Sequence, residues 1–290
     1  MPSLASRAAS ARAISDRVEA ARALHATGRT REALELLSGP GDFSQDVYTL
    51  RGDLQLQLGE LHEALGSYST VIAFERHNVY ALQHLAVCLC RLERWELAAE
   101  TFRKLLAHDT YSDQAHIGLG DSLLHLKKPE EALACFEACW SESARRRALF
   151  GKAVALQLLG RTEEAELLYE RILELEPGSE EALGNLIAMS MEVFDLARLQ
   201  RYALRLAGRF PQSTVALQAL ALVAVERGDY ETAAGHFDEL MKNGPEDGFS
   251  ASDEREDEIR YRLSGDKVEH LSSFRRSAPR GSARRLNSGI

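Results

Sequence analysis

The chain has 290 residues, 45% of them hydrophobic, with 35 Lys and Arg against 44 Asp and Glu and a formal net charge of −9. That hydrophobic content suffices for a core, and only seven prolines leave room for long helices. The acidic balance argues against binding along a phosphate backbone, which needs clustered Lys and Arg; all of it precedes Glu246, because the nine acids and nine bases beyond cancel.

The first 15 residues hold Arg7 and Arg12, several Ser and Ala, and no acid. A frayed lead-in over 1–13 is the expectation, with a mitochondrial transit segment as the alternative. No apolar run approaches the roughly 18 residues of a membrane span, so no membrane contact is expected. The four cysteines, Cys88, Cys90, Cys135 and Cys139, lack the spacing of a secreted disulfide framework, which points to a reducing compartment and a cytoplasmic setting.

From Ile14 a pattern recurs. A small residue stands at Ala33, Ala64, Ala98, Ala132, Ala165 and Ala233, with Leu199 between the last two, at intervals of 31, 34, 34, 33, 34 and 34 residues. Twelve residues upstream stand Ala21, Gly52, Ala86, Gly120, Ala153, Ile187 and Ala221. Four downstream come Leu37, Tyr68, Phe102, Phe136, Tyr169, Ala203 and Phe237, and five upstream lie turn glycines at Gly28, Gly59, Gly160 and Gly228. Pro177, Pro211 and Pro245 keep the 34-residue interval at the unit ends. Two small residues let two helix backbones approach, and an aromatic one turn later fills the space toward a neighbour. Such a period signals stacked helix pairs starting near Ile14, Gln45, Val79, Asp113, Arg146, Glu180 and Thr214. Thr30 and Thr162 are placed to cap second helices.

Two units depart from the pattern. In the first, Ser38-Gly39-Pro40-Gly41 should cut the second helix short. The sixth enlarges both crossing residues to Ile187 and Leu199, has Phe194 at the turn, and has Ala203 where an aromatic is due. A repacked, wider pair with a local change of curvature is expected there.

These residues resemble the tetratricopeptide repeat (TPR), a 34-residue helix-turn-helix unit with small, small, aromatic and proline signposts. The resemblance covers residues 14–245 as about seven units. It implies an all-α solenoid coiled into a right-handed superhelix, with the first helix of each pair lining a concave groove. Carried onto this sequence, the groove candidates are Val87, Cys90 and Arg91; Ile117, Asp121 and Leu124; Arg147, Phe150, Val154 and Leu158; then Met191 and Leu222. The lining is mainly apolar, suited to an amphipathic helix or an extended peptide, although some of these side chains would instead pack between helices. Some relatives clamp acidic chaperone tails with Lys, Asn and Arg. The matching stations here are Arg22, Asp53, Val87 and Asp121, whose two carboxylates would repel such a ligand.

Other constellations carry less. Cys135 and Cys139 share a helix face, yet Cys88 and Cys90 diverge, so buried thiols acting as small hydrophobes explain all four better than zinc. Trp95 and Trp140 are expected to fill gaps between helices. Arg145-Arg146-Arg147 reads as a solvated helix start or a local anion contact. No metalloprotease or hydrolase motif occurs, and Gly118-Leu119-Gly120 lacks the third glycine of a dinucleotide loop, so no catalytic residue, cofactor or metal is expected. Beyond Pro245, residues 246–258 are acidic and 275–285 basic, a composition that favours disorder, while the apolar spacing over 254–271 would allow a short helix.

The resulting expectation is a non-enzymatic scaffold or adaptor that binds peptide or helical segments of partner proteins, with Phe150, Ile117, Leu124 and Val154 as leading contacts, and no nucleic acid. The alternative is a regulatory or assembly subunit that oligomerises through its repeats and recruits a catalytic partner through the charged tail.

Overall fold

A computed structural model describes residues 4–38 and 44–242, with side chains from Arg12 onward. Among the described residues every regular element is an α-helix: α1 (Leu4–Ala26), α2 (Thr30–Leu36), α3 (Gln45–Leu58), α4 (Leu61–Phe74), α5 (Val79–Arg91), α6 (Trp95–His108), α7 (Asp113–His125), α8 (Pro129–Glu137), α9 (Glu142–Leu158), α10 (Thr162–Leu175), α11 (Glu180–Glu192), α12 (Leu196–Arg209), α13 (Thr214–Glu226) and α14 (Tyr230–Lys242). The expected starts Gln45, Val79, Asp113, Glu180 and Thr214 are the first residues of α3, α5, α7, α11 and α13. Two starts come early: α1 begins at Leu4 rather than Ile14, and α9 at Glu142 rather than Arg146. The seven-residue α2 is short, as expected. Gly39-Pro40-Gly41, Pro245 and the segment 254–271 lie outside the described residues.

The first helices share a start signal of their own, a capping side chain just before the first turn. Ser44, Asn78, Ser112, Ser141, Ser179 and Ser213 each accept the backbone N–H three residues on, from Val47, Ala81, Ala115, Ala144, Ala182 and Ala216. Such a cap contributes about 1 kcal/mol. Thr30 and Thr162 do not play this part. They are the first helical residues of α2 and α10, one position past the caps Arg29 and Arg161, whose side chains pair with Glu32 and Glu164.

Between the two helices of each pair one residue is left-handed: Gly28, Gly59, Glu93, Lys127, Gly160, Phe194 and Gly228, with φ from 56° to 81°. The tight turn imposes this conformation, so the three non-glycine residues carry strain that glycine would not. Lys127→Gly is therefore expected to raise stability by about 0.5–1 kcal/mol, the relief of roughly 1–2 kcal/mol being partly offset by glycine's greater chain entropy. Unfolding midpoints in urea check this; a loss of stability would show that the turn is not strained.

The chain divides at Gly160 into two compact units. In the first, α1 to α9, each helix packs on the next, and first helices also touch across pairs, α1 on α3, α5 on α7 and α7 on α9. One core joins Val18, Ala21, Ala33, Leu37, Val47, Leu50 and Leu54, and a second joins Ala64, Tyr68, Val71, Ala81 and Cys88. A third runs from Leu82 through Phe102, Leu123 and Phe136 to Ala155. The small residues work as their spacing implies. A Cβ placed on Gly52 would lie 2.7 Å from the Tyr68 ring, and one on Gly120 would lie 2.7 Å from that of Phe136.

In the second unit, α10 to α14, the sixth pair is repacked. Ile187, Leu199 and Ala203 are all buried, and the aromatic stands one residue earlier, at the fully buried Tyr202. Its hydroxyl lies 2.7 Å from a Glu170 carboxylate oxygen and 3.1 Å from one of Glu166, both on α10.

Candidate functional site

In the first unit the first helices are tied to one another by polar side chains, among them the groove candidates Cys90, Arg91, Asp121 and Arg147. Asp53 on α3 accepts the hydroxyls of Tyr68 (2.7 Å) and Tyr80 (2.8 Å). Arg91 on α5 donates to the Leu56 carbonyl at 3.3 Å. Gln83 donates to Gln114 on α7, and the Cys90 thiol lies 3.7 Å from the Ser122 hydroxyl. Asp121 on α7 pairs with Arg147 on α9 at 2.7 Å. Burial pushes the Asp121 carboxyl above its ordinary value, and the Arg147 guanidinium opposes that push only in part. The two carboxylates that argued against an anionic ligand thus serve to lock neighbouring helices.

Ile117 and Leu124, expected as leading contacts, are buried. They are 6% and 5% exposed and belong to the core, because α7 is enclosed by α5, α6, α8 and α9. α9 carries an apolar row four residues apart and so on one face: Phe150 half-buried, Val154 half-buried and packed against the core, and Leu158 46% exposed. Val87 and Cys90 on α5 are half-buried, and Arg91 is exposed. In the second unit Met191 and Leu222 are half-buried on α11 and α13. That unit also holds a pocket of about 240 Å³ floored by Leu186, Met189 and Ser190 and edged by Glu163, Val193 and the Glu166–Arg198 pair.

Trp95 stacks on His125 with ring centroids 3.7 Å apart, filling a gap between α6 and α7 as expected. Trp140 does not fill one; it is 73% exposed in the loop before α9. Arg145 and Arg147 are matched by Glu142 and Asp121, which leaves them a solvated, internally paired helix start. Burial raises all four thiols, Cys88 and Cys139 to about 11, which disfavours the reactive thiolate at neutral pH. Among the described residues, no three or more His, Cys, Asp or Glu are grouped to hold a metal ion, and no helix is long and apolar enough to cross a membrane.

The family model for the tetratricopeptide repeat matches residues 49–113, 91–140 and 119–180, and a second model of the same repeat matches 17–38 and 214–239, together more than half of the chain. The chain belongs to the tetratricopeptide repeat family. Solved TPR folds overlay on it. A tetratricopeptide repeat protein from Parabacteroides merdae is 17% identical, with a TM-score of 0.63 over 88% of this chain and 100% of its own. PilW, a type IV pilus biogenesis factor, is 19% identical, with a TM-score of 0.60 over 76% and 98%. PilF of Pseudomonas aeruginosa is 20% identical, with a TM-score of 0.59 over 75% and 97%. At these identities the likeness concerns the fold alone. No curated protein sequence matches the chain. The TPR signposts thus explain the helix pairs, whereas ties such as Arg91 to Leu56 and Asp121 to Arg147 involve residues outside those signposts.

Proposed function

We propose that this TPR protein is a non-enzymatic adaptor that captures an amphipathic helix or extended segment of a partner protein on the face built by α5 and α9. TPR proteins generally bind other proteins, which supports the class of activity. The observation that carries the finer reading is the Phe150, Val154 and Leu158 stripe, an apolar row beside polar groups that already satisfy one another. Affinity there would come from apolar anchors rather than from a charged clamp. A reducing, cytoplasmic setting fits the cysteine pattern.

Tagged protein purified with its partners tests this, in wild-type form, as Phe150→Glu and Leu158→Glu, and without residues 246–290. Both substitutions should abolish capture of the specific partner while circular dichroism stays helical, and the truncated chain should retain it. Leu158 is open enough that its substitution leaves folding intact. Capture that survives in both folded variants sinks the reading; capture lost only on removing 246–290 favours a regulatory subunit that recruits through its tail.

A further inference from the structure

Among the described residues of the first unit, Trp140 and Tyr111 are the most open aromatic side chains, 73% and 78% exposed. The repeat register explains the first. Thirty-four residues before Trp140 stands Leu106 and, as far again, Ile72, both packed against the core from second helices of 14 residues. In the fourth pair the second helix, α8, stops after nine residues at Glu137, and Ser141 caps α9 four residues earlier than the period implies. The residue due for the core is thereby put into the loop.

It is held there. The indole Nε1 donates to the Tyr111 carbonyl at 3.3 Å, the Trp140 backbone N–H donates to Asp113 Oδ1 at 3.0 Å, and that of Ser141 donates to Oδ2 at 2.9 Å. Partial burial acts to raise the Asp113 carboxyl, yet these bonds with Ser141 and Trp140 outweigh it and hold the group below the usual range, ionised at neutral pH. An exposed tryptophan fixed in this way has little freedom left to lose on binding.

The sequence flanking both aromatics is acidic, although Lys152 on α9 lies close enough to act on the Cys139 thiol beside Trp140. Asp109, Asp113, Glu137 and Glu142 all stand within three residues of one of the two aromatics, and no Lys or Arg does. Asp109 and Glu137 have no ion pair among the described residues, and Arg145, the nearest cation along the chain to Trp140, is tied to Glu142. The geometry points to this loop pair as a docking site for an arginine-rich segment of a partner protein. A guanidinium stacks on an indole face while its N–H fork reaches carboxylates at the rim, a combination that the compact lysine ammonium meets less well. Anionic lipid, which would otherwise attract exposed Trp and Tyr, is repelled by the same carboxylates. The site is independent of the α9 stripe.

The test uses the full-length chain with Arg275, Arg276, Arg280, Arg284 and Arg285 changed to Ser, so that added peptide is the sole arginine-rich segment. The probe is a fluorescent peptide with the sequence of residues 275–285, followed by anisotropy; a Trp95→Phe background leaves Trp140 as the reporter in a parallel emission titration. Saturable binding with a shift in Trp140 emission is expected. It should weaken about tenfold or more in Trp140→Ala, and severalfold in Asp109→Asn with Glu137→Gln or when every arginine of the peptide is lysine. Absence of saturable binding, or affinity unchanged in Trp140→Ala, overturns the proposal. So does a Trp140 shift produced by phosphatidylserine vesicles and not by the peptide.

Discussion

Phe136→Ala is expected to destabilise the first unit by about 3–5 kcal/mol, the range for deleting a fully buried aromatic that leaves a cavity behind. The ring is completely buried and serves two interfaces at once, lying over Gly120 of its own pair and Gly151 of the next first helix. The glycines should respond in the opposite sense from ordinary helix positions. Exchanging a mid-helix glycine for alanine normally gains about 1 kcal/mol. Here a Cβ on Gly120 would sit 2.7 Å from the ring, and one on Gly151 nearer still, so the fully buried ring would have to shift. Overpacking of that kind costs about 1–3 kcal/mol, so Gly120→Ala and Gly151→Ala should each be net destabilising. In a Phe136→Leu background the glycine substitutions should cost less, a non-additivity expected of residues in contact. Helix stacks need not unfold in one step, so urea melts should be paired with amide exchange resolved along α7 to α9. Strictly additive costs would mean that the ring and the glycines do not meet.

Much of this architecture was legible from spacing, because each small residue has one mechanical task at one station. Ala33, Ala64, Ala98 and Ala132 let backbones approach, and Tyr68, Phe102 and Phe136 fill what remains, so five first-helix starts could be placed to the residue. The surface was less legible, for a physical reason. Ile117 and Phe150 occupy the same station on successive first helices, yet one is core and the other half-open, because exposure depends on how closely neighbouring helices cover the site. The period gives Trp140 the station of Leu106, but a local competitor, the Ser141 cap with Asp113 holding two backbone N–H groups, ends the helix first and leaves the indole in the loop. The caps themselves are readable in Ser44, Asn78, Ser112, Ser179 and Ser213, a signal separate from the small and aromatic stations.

The second large effect should come from the sixth pair, where restoring the repeat code is expected to do harm. Tyr202→Ala should cost about 3–5 kcal/mol, since its ring is fully buried. Tyr202→Phe should cost about 1 kcal/mol, because Glu166 keeps Arg198, and Glu170 keeps Arg201 and Arg205, when the hydroxyl is lost. Ala203→Phe would return an aromatic to the periodic station, yet Ala203 is already fully covered, with Ile187 and Leu199 also buried in that pair. A loss of about 1–3 kcal/mol is therefore expected. Nor should Ala203→Phe rescue Tyr202→Ala, because one residue along a helix turns a side chain by about 100°, away from the space the tyrosine leaves. Thermal and urea unfolding of the four variants decide the matter. If Ala203→Phe stabilised the chain, the enlarged Ile187 and Leu199 would not fill the aromatic's place, and the displacement to Tyr202 would need another cause. If it destabilises as expected, the sixth unit is a packing solution in its own right, in which two larger aliphatic residues and a shifted tyrosine replace the small residues and the aromatic together.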